Sequence, residues 1–452
     1  MNSPLKNKLL FTQVITLLYI LFFSSLVFSF RAVSSISIGL LFIAGLILNR
    51  KELKARLGAS TRIFLFACSL FFLLQVFSLL WTRDLEEGWK NVSLNSGMLL
   101  IPLAVLFSHH QDPESFRKLF GYYCLILVAA SVFCLFHASL FLINTNDSSH
   151  FFYHSLVKPL KQHAVYFSIY VIIGLFHLLD NMERKQFLIA RSIHIMIFLY
   201  LSIFLFLLSS KLIIILYLIL ILSYFIKYIL KSSGKGSGFT GKRVFTVLSV
   251  LLIITITSYF FLTPNPVSNR FYEIAHGGLD LVSQDQFTPG HYFNGLQFRL
   301  LQWKWVPSIL FENNAWVLGV SPGDAQFMLD QTYVSKHMYT GDLSRGDHGY
   351  LGYNTHNQYL QTLLQNGILG LTILVFLYMC LVRLAFQSRN WIAVIITLLV
   401  FIYGFSESIL ETQYGMLLFL FFPLYYSLVP PGEPVPAGKL IRKLANPFRA
   451  RA

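Results

Sequence analysis

Charge is what this sequence has least of. Only 12 % of its 452 residues are Asp, Glu, Lys or Arg, about half the share found in soluble domains. That excludes an ordinary water-soluble globular enzyme. Cysteine is scarce as well. Cys68, Cys124, Cys134 and Cys380 all fall inside apolar runs without metal-ligand spacing, which argues against a disulfide framework and predicts buried thiols. The chain has no Walker loop, no HExxH and no paired-aspartate cluster of the kind that holds a metal-bound nucleotide sugar. Ionisable residues are nearly missing from the centres of the apolar runs. A proton-coupled transporter places such groups there, so their scarcity argues against pumping.

What the chain has is hydrophobicity: 55 % apolar residues and a mean hydropathy of +0.62. Apolar runs of about 18 residues or more recur along it, the signal of transmembrane helices. Spans are expected at roughly 9–30, 32–49, 62–82, 94–109, 118–144, 163–180, 192–208, 211–230, 244–262, 356–382, 390–406 and 409–429. The expected fold is therefore an all-α polytopic membrane protein of about twelve helices. Net charge is +15. In a soluble protein that would suggest nucleic acid. Here the basic residues sit in short loops between spans, so membrane orientation and anionic headgroups explain them, and no nucleic-acid partner is expected.

With the N-terminus in the cytoplasm, the inner segments hold 24 of the 35 basic residues and the outer short loops only six. The positive-inside rule supports this orientation, with both termini cytoplasmic. One connection is far longer than a connector needs to be. Residues 263–355 form an outer segment, read as a small, mostly helical extracytoplasmic domain between spans nine and ten. Within it, residues 294–306 read as an amphipathic helix, with Leu296, Leu300, Trp303 and Val306 at helical spacing and Pro307 at its end. The division expected is residues 1–262 (nine spans), 263–355 (outer domain), 356–429 (three spans) and 430–452 (a basic, Pro-rich cytoplasmic tail near anionic lipid).

The unusual polar residues gather at the outer ends of spans. His356 and Asn357 open the tenth span in the stretch NTHNQYL. An imidazole exchanges protons near neutral pH and suits general-base work, although an interfacial histidine bound to a loop carbonyl gives the same pattern. Lys211, after Ser209 and Ser210, is wedged between two apolar runs, where it would face an anion or simply snorkel. Arg299 and Trp303 are helical neighbours, and a guanidinium there suits a diphosphate bound bidentately or a structural carboxylate pair. Arg270 is a weaker candidate of the same kind. His163 follows Lys161 and Gln162 at the outer end of the sixth span. Glu407 and Glu411 stand in FSESILETQYG between the last two spans. Glu411 is carried forward as a partner for a histidine or arginine, and Glu407 is read as ordinary interfacial polarity.

Taken in order, the outer Ser-Ser-Lys, the Arg299–Trp303 helix, the glycine turn GVSPG at 319–323 and the later HNQYL…NGILGL resemble the O-antigen ligase and polymerase superfamily. The likeness covers most of the chain and is most specific from about Asn294 to Leu371. Family members often carry Ser-Arg-Gly where this chain has Ser210, Lys211 and Leu212. Lysine keeps the charge and loses the bidentate geometry. The resemblance implies a bundle of about twelve helices with a periplasmic domain. It also implies inverting, cofactor-free and metal-independent transfer of a glycan from undecaprenyl diphosphate at the outer face of the bacterial inner membrane. The acceptor is lipid A–core in a ligase, or another glycan or a protein hydroxyl in a polymerase or O-glycosyltransferase. On that chemistry His356 is the base, and Arg299 and Lys211, with Arg270, bind the diphosphate. His163, Asn357, Tyr359, Trp303 and Glu411 support the substrates. A lipid-linked glycan transporter is the alternative from another class, disfavoured by the apolar span centres.

Overall fold

The computed structural model describes residues 3–49, 57–109, 112–233 and 278–429, with 255, 263, 268, 269 and 272. Among the described residues the chain is helical throughout, with no strand. The helices that matter here are α1 (Ser3–Val27), α2 (Arg31–Asn49), α3 (Ala59–Ser78), α4 (Leu85–Asn95), α5 (Gly97–Ser108), α6 (Pro113–Thr145) and α7 (Ala164–Arg184). They continue with α8 (Arg191–Leu207), α9 (Lys211–Ser233), α10 (Gly295–Glu312), α11 (Ala325–Ser335), α12 (Gln358–Gln387), α13 (Trp391–Tyr403) and α14 (Gln413–Leu428). Among the described residues five apolar stretches are long enough to cross a membrane: α3, α4 with α5, α6, α7 and α12. Every expected span falls on one of these helices except residues 244–262, of which residue 255 alone is described; Arg270 and the tail 430–452 lie outside the described residues.

In a bilayer the lipid tails are as apolar as the helices, so helix association rests on close packing rather than on expulsion of water. Aromatic side chains supply much of that packing between α1, α6 and α14. Phe22 meets Phe421 at 4.8 Å between ring centroids, Phe23 meets Tyr123 at 4.9 Å, and Phe120 meets Tyr426 at 4.6 Å. All three pairs are tilted, the arrangement favoured by ring quadrupoles. The four cysteines are buried and unbridged, as their apolar surroundings predict.

The ends of the helices sort by chemistry. At one end Asp180 accepts from Arg184 and from the Trp391 indole, tying α7 to the start of α13. At the other end, Gln162 donates to Leu26 and Val27 in the α1–α2 turn, and Thr412 donates to Tyr166. His163 caps α7 and Lys211 opens α9; the two helices pack together and start at this same end.

A second hydrophobic cluster forms outside the bundle. Phe293, Phe298, Leu301, Trp305 and Tyr333 pack together, and Leu364 of α12 joins them. Asn294 starts α10 with a reciprocal capping box: its side chain accepts from Gln297 N and its own N–H donates to Gln297. One expectation needs correcting. Pro307 does not end this helix, which runs on to Glu312. Pro307 is exposed, so the carbonyl at Trp303 that loses its partner lies on the solvent side, where bending is tolerated.

α12 is broken. Gly367 has φ 63° and ψ −163°, inside an otherwise helical run of 30 residues. The backbone groups freed there are paired by the segment that follows α10. Val320 N donates to Leu364 O and Ser321 N to Gln365 O, while Ile368 N donates to Trp316 O and Leu369 N to Val317 O. Only glycine fits the crossing. A Cβ on Gly319 would stand 2.3 Å from the carbonyl carbon of Gln365, and one on Gly367 would stand 2.3 Å from that of Val317.

Candidate active site

The site is built where two turns are stitched together. The first precedes α12. The Thr355 hydroxyl donates to Asn357 O at 2.9 Å and its backbone N–H to Gln361 Oε1 at 3.2 Å, and Asn354 O accepts from Gln302. Asn357 caps α12, its Oδ1 accepting from Tyr359 N and Leu360 N. Between these fixed residues His356 adopts φ 45°, a left-handed conformation that a side-chain-bearing residue holds only when its neighbours enforce it. Its N–H donates to Asn354 Oδ1 at 3.0 Å.

The second turn joins α13 to α14. Gln358 N donates to Gly404 O at 2.7 Å, Asn357 N to Ser408 Oγ at 3.3 Å, and Leu410 N to Gln358 Oε1 at 2.7 Å. These bonds hold Glu407 directly against His356, Oε2 to Nδ1 at 3.1 Å. The other carboxylate oxygen, Oε1, accepts from Arg299 Nη2 at 3.0 Å. Arg299 is anchored further: Nε donates to Ser406 O and Nη1 to Gly295 O. A guanidinium carries five N–H donors, so these three bonds leave two for a ligand.

One carboxylate thus holds a histidine and an arginine side by side. Glu407 is 11 % exposed, against 23 % for the His356 side chain and 28 % for Arg299. Burial pushes the Glu407 carboxyl up, but the hydrogen bond and charge of His356, then Arg299 and His163, outweigh it and hold the group below its ordinary value. Glu407 is therefore a fixed anion. Its bond to Nδ1 assigns the proton to that nitrogen and leaves Nε2 as the acceptor, the arrangement a general base needs.

The structure places the other candidates as follows. His163 is near enough for Glu407 to feel its charge, with its ring 4.3 Å from that of His154 and 5.7 Å from that of Tyr166. Lys211, half-buried, opens α9 at the same end of the bundle. Trp303 lies one turn beyond Arg299, and its indole N–H has no partner among the described residues. Asn357 is occupied as a helix cap. The Tyr359 hydroxyl donates to Phe401 O at 2.7 Å, and its ring packs against Phe405 at 4.5 Å. The glycine turn 319–323 serves docking: besides Gly319, a Cβ on Gly323 would lie 2.6 Å from Asp84 O. Asp324 accepts from Arg83 N and Asp84 N.

Glu411 does not join this cluster. It is half-buried and accepts from Gln365 at 3.0 Å. Burial pushes it up to about 7, opposed by the Gln365 hydrogen bond and reinforced by Glu87. The two carboxylates of FSESILE thus take opposite roles. The turn after Tyr403 and the short 3₁₀ segment Ile409–Glu411 send them in different directions, where a continuous helix would have kept them on one face. Glu411 also sets a pH dependence. A folded-state value raised from 4.5 to about 7 means that stability is full below 4.5 and falls as pH rises towards 7. Glu411→Gln is expected to match the parent protein at pH 5 and to melt higher at pH 8. Identical melting curves at both pH values would refute this.

Among the described residues no group of His, Cys, Asp and Glu is arranged to hold a metal ion. The described residues form an apolar helical bundle with a histidine–carboxylate–guanidinium group at one end. The segment that supplies Lys211, Arg299 and His356 carries the family signal: residues 196–375 match the family model Wzy_C, O-antigen ligase. Over this segment the chain is similar to the O-antigen ligase family, a likeness that supports glycan transfer of the ligase or polymerase type. No curated protein matches the chain. Glu407 lies beyond the matched segment.

Proposed function

We propose that this protein transfers a glycan from undecaprenyl diphosphate to a hydroxyl of lipid A–core at the periplasmic face of a bacterial inner membrane. The observation that carries the reading is the shared Glu407 carboxylate, 3.1 Å from His356 Nδ1 and 3.0 Å from Arg299 Nη2. A base and a diphosphate-binding cation are thereby fixed to one anion. In this reading about twelve helices span the membrane with both termini cytoplasmic. Residues 263–355 form the periplasmic domain that brings Arg299 over the bundle.

The acceptor hydroxyl loses its proton to His356 Nε2 as its oxygen attacks the anomeric carbon from the face opposite the diphosphate, so configuration inverts. Glu407 steadies the imidazolium that forms. The bond to the diphosphate oxygen breaks, and the leaving group gains charge opposite Arg299 and Lys211, whose attraction therefore grows towards the transition state. A diphosphate is already a good leaving group, so the scheme uses no cofactor or metal. His163, Trp303 and Tyr359 border the same end and support the substrates, and the apolar spans hold the polyprenyl chain.

The lipopolysaccharide of a deletion strain tests the reading. Loss of all capped chains is expected for a ligase. Caps of a single repeat would identify a polymerase, and unchanged lipopolysaccharide would move the activity to another glycan or to protein. Lys211 gives a finer test in purified protein. Lys211→Arg is expected to keep most transfer and Lys211→Ala to lose on the order of 10²-fold. Equal rates in the two variants would reduce Lys211 to a membrane anchor.

A further inference from the structure

The segment that closes the break in α12 bears apolar side chains that stand exposed among the described residues. Val317 is 67 % exposed, Leu318 43 % and Trp316 38 %, and beside them on α12 Ile368 is 52 % and Leu369 43 % exposed. Backbone hydrogen bonds from Ile368 to Trp316 and from Leu369 to Val317 lock the two strips into one surface.

The depth of that surface follows from helix geometry. α12 has 30 residues and Gly367 lies nine residues past its start. At ~1.5 Å per residue the helix is ~45 Å long and the break sits ~14 Å from its outer end. A bilayer is ~40–45 Å thick with a hydrocarbon core of ~30 Å, so the break falls ~7 Å inside the core. Irregular backbone survives at that depth only where protein satisfies its polar groups. The four backbone bonds from residues 316–321 do so. A chain held there with Val317 and Leu318 facing outward meets acyl chains. Residues 312–314 just before it are the polar Glu312, Asn313 and Asn314, which restrict the entry to the shallow part of the leaflet.

We propose that residues 316–318 are a membrane-inserted wedge, in contact with the acyl chains of the outer leaflet. The segment that carries Arg299 on α10 would then be seated in the bilayer and on the broken helix whose cap bears His356. The partner is the hydrocarbon of the leaflet, not a second protein.

Fluorescence in proteoliposomes tests this. The four natural cysteines are buried, so a bimane maleimide reports the introduced thiol in Val317→Cys, with Ser344→Cys, in an exposed loop, as the control. Phosphatidylcholine brominated near the top of its acyl chains is the quencher. The label at 317 is expected to emit to the blue of the control and to lose emission in brominated lipid, while the control keeps its emission. Water-like, unquenched emission at 317 would overturn the proposal. Should Val317→Cys fail to fold, Trp316→Phe decides by intrinsic fluorescence. The part of the quenching contributed by Trp316 disappears if the wedge is inserted, and unchanged quenching in the variant overturns it.

Discussion

His356→Ala is expected to abolish transfer while the protein still inserts and accumulates. Removing a general base costs about 10²–10⁴-fold in rate, and Glu407, the partner of the ring, stays paired with Arg299 when the ring is gone. Accumulation follows from the geometry. The ring makes one hydrogen bond, to Glu407, and Glu407 keeps its bond to Arg299 when the ring is gone. The left-handed backbone at 356 is imposed by the bonds of Asn354, Thr355 and Asn357, none of which involves the imidazole. The assay is transfer from a lipid-linked donor by purified, reconstituted protein. A wild-type rate in that assay would remove His356 from the mechanism.

Glu407→Gln is expected to have the second largest effect, a fall in kcat of about 10²-fold or more with little change in KM for the lipid-linked donor. The substitution keeps shape and a hydrogen bond, but an amide N–H can donate to Nδ1. That moves the imidazole proton to Nε2, the nitrogen needed as acceptor. Loss of the negative charge also removes what steadies the imidazolium. A purely structural clamp on Arg299 predicts the opposite split, a raised KM with kcat preserved, and that result would exclude the positioning role. Glu407 and Glu411 also pull stability in opposite directions with pH. Glu407 is held below its ordinary value of 4.5, so its contribution is present above that pH and is lost as pH falls through the lower folded-state value. Glu411 loses stability on the alkaline side.

Much of this arrangement was legible before any coordinates. The helical spacing of Leu296, Leu300, Trp303 and Val306 marks the arginine helix. Apolar length marks α3, α6 and α12. His356, Arg299 and Lys211 stood out because polar residues at the edge of long apolar runs are costly. Less legible was anything that depends on two distant segments. Glu407 and Glu411 are equivalent in sequence, and only the turn of residues 404–411 against residues 354–361 separates the fixed anion from the half-buried acid. A usable signal did exist: an arginine facing apolar surroundings requires a carboxylate, and FSESILE offered two. The helix break at Gly367 was hidden because NGILGL is apolar on both sides of it, so hydropathy runs through without a dip. Its counterpart, GVSPG, reads as a weak turn until the close approach of Gly319 to Gln365 is known. Pro307 misled because its exposure, which lets the helix continue, is a tertiary fact.

The stitching of the 404–411 turn to the start of α12 also has a consequence for biogenesis. Arg299 and His356 emerge from the ribosome well before Glu407, and the backbone oxygens of Gly404 and Ser406 that hold Gln358 and Arg299 come later still than His356. Until the closing hairpin of α13 and α14 has been threaded, the imidazole has no orienting carboxylate and the guanidinium only its bond to Gly295 O within α10. A nascent chain in the translocon therefore carries its base and its cation in an unassembled state. The base and the cation are brought together only once α13 and α14 are in place.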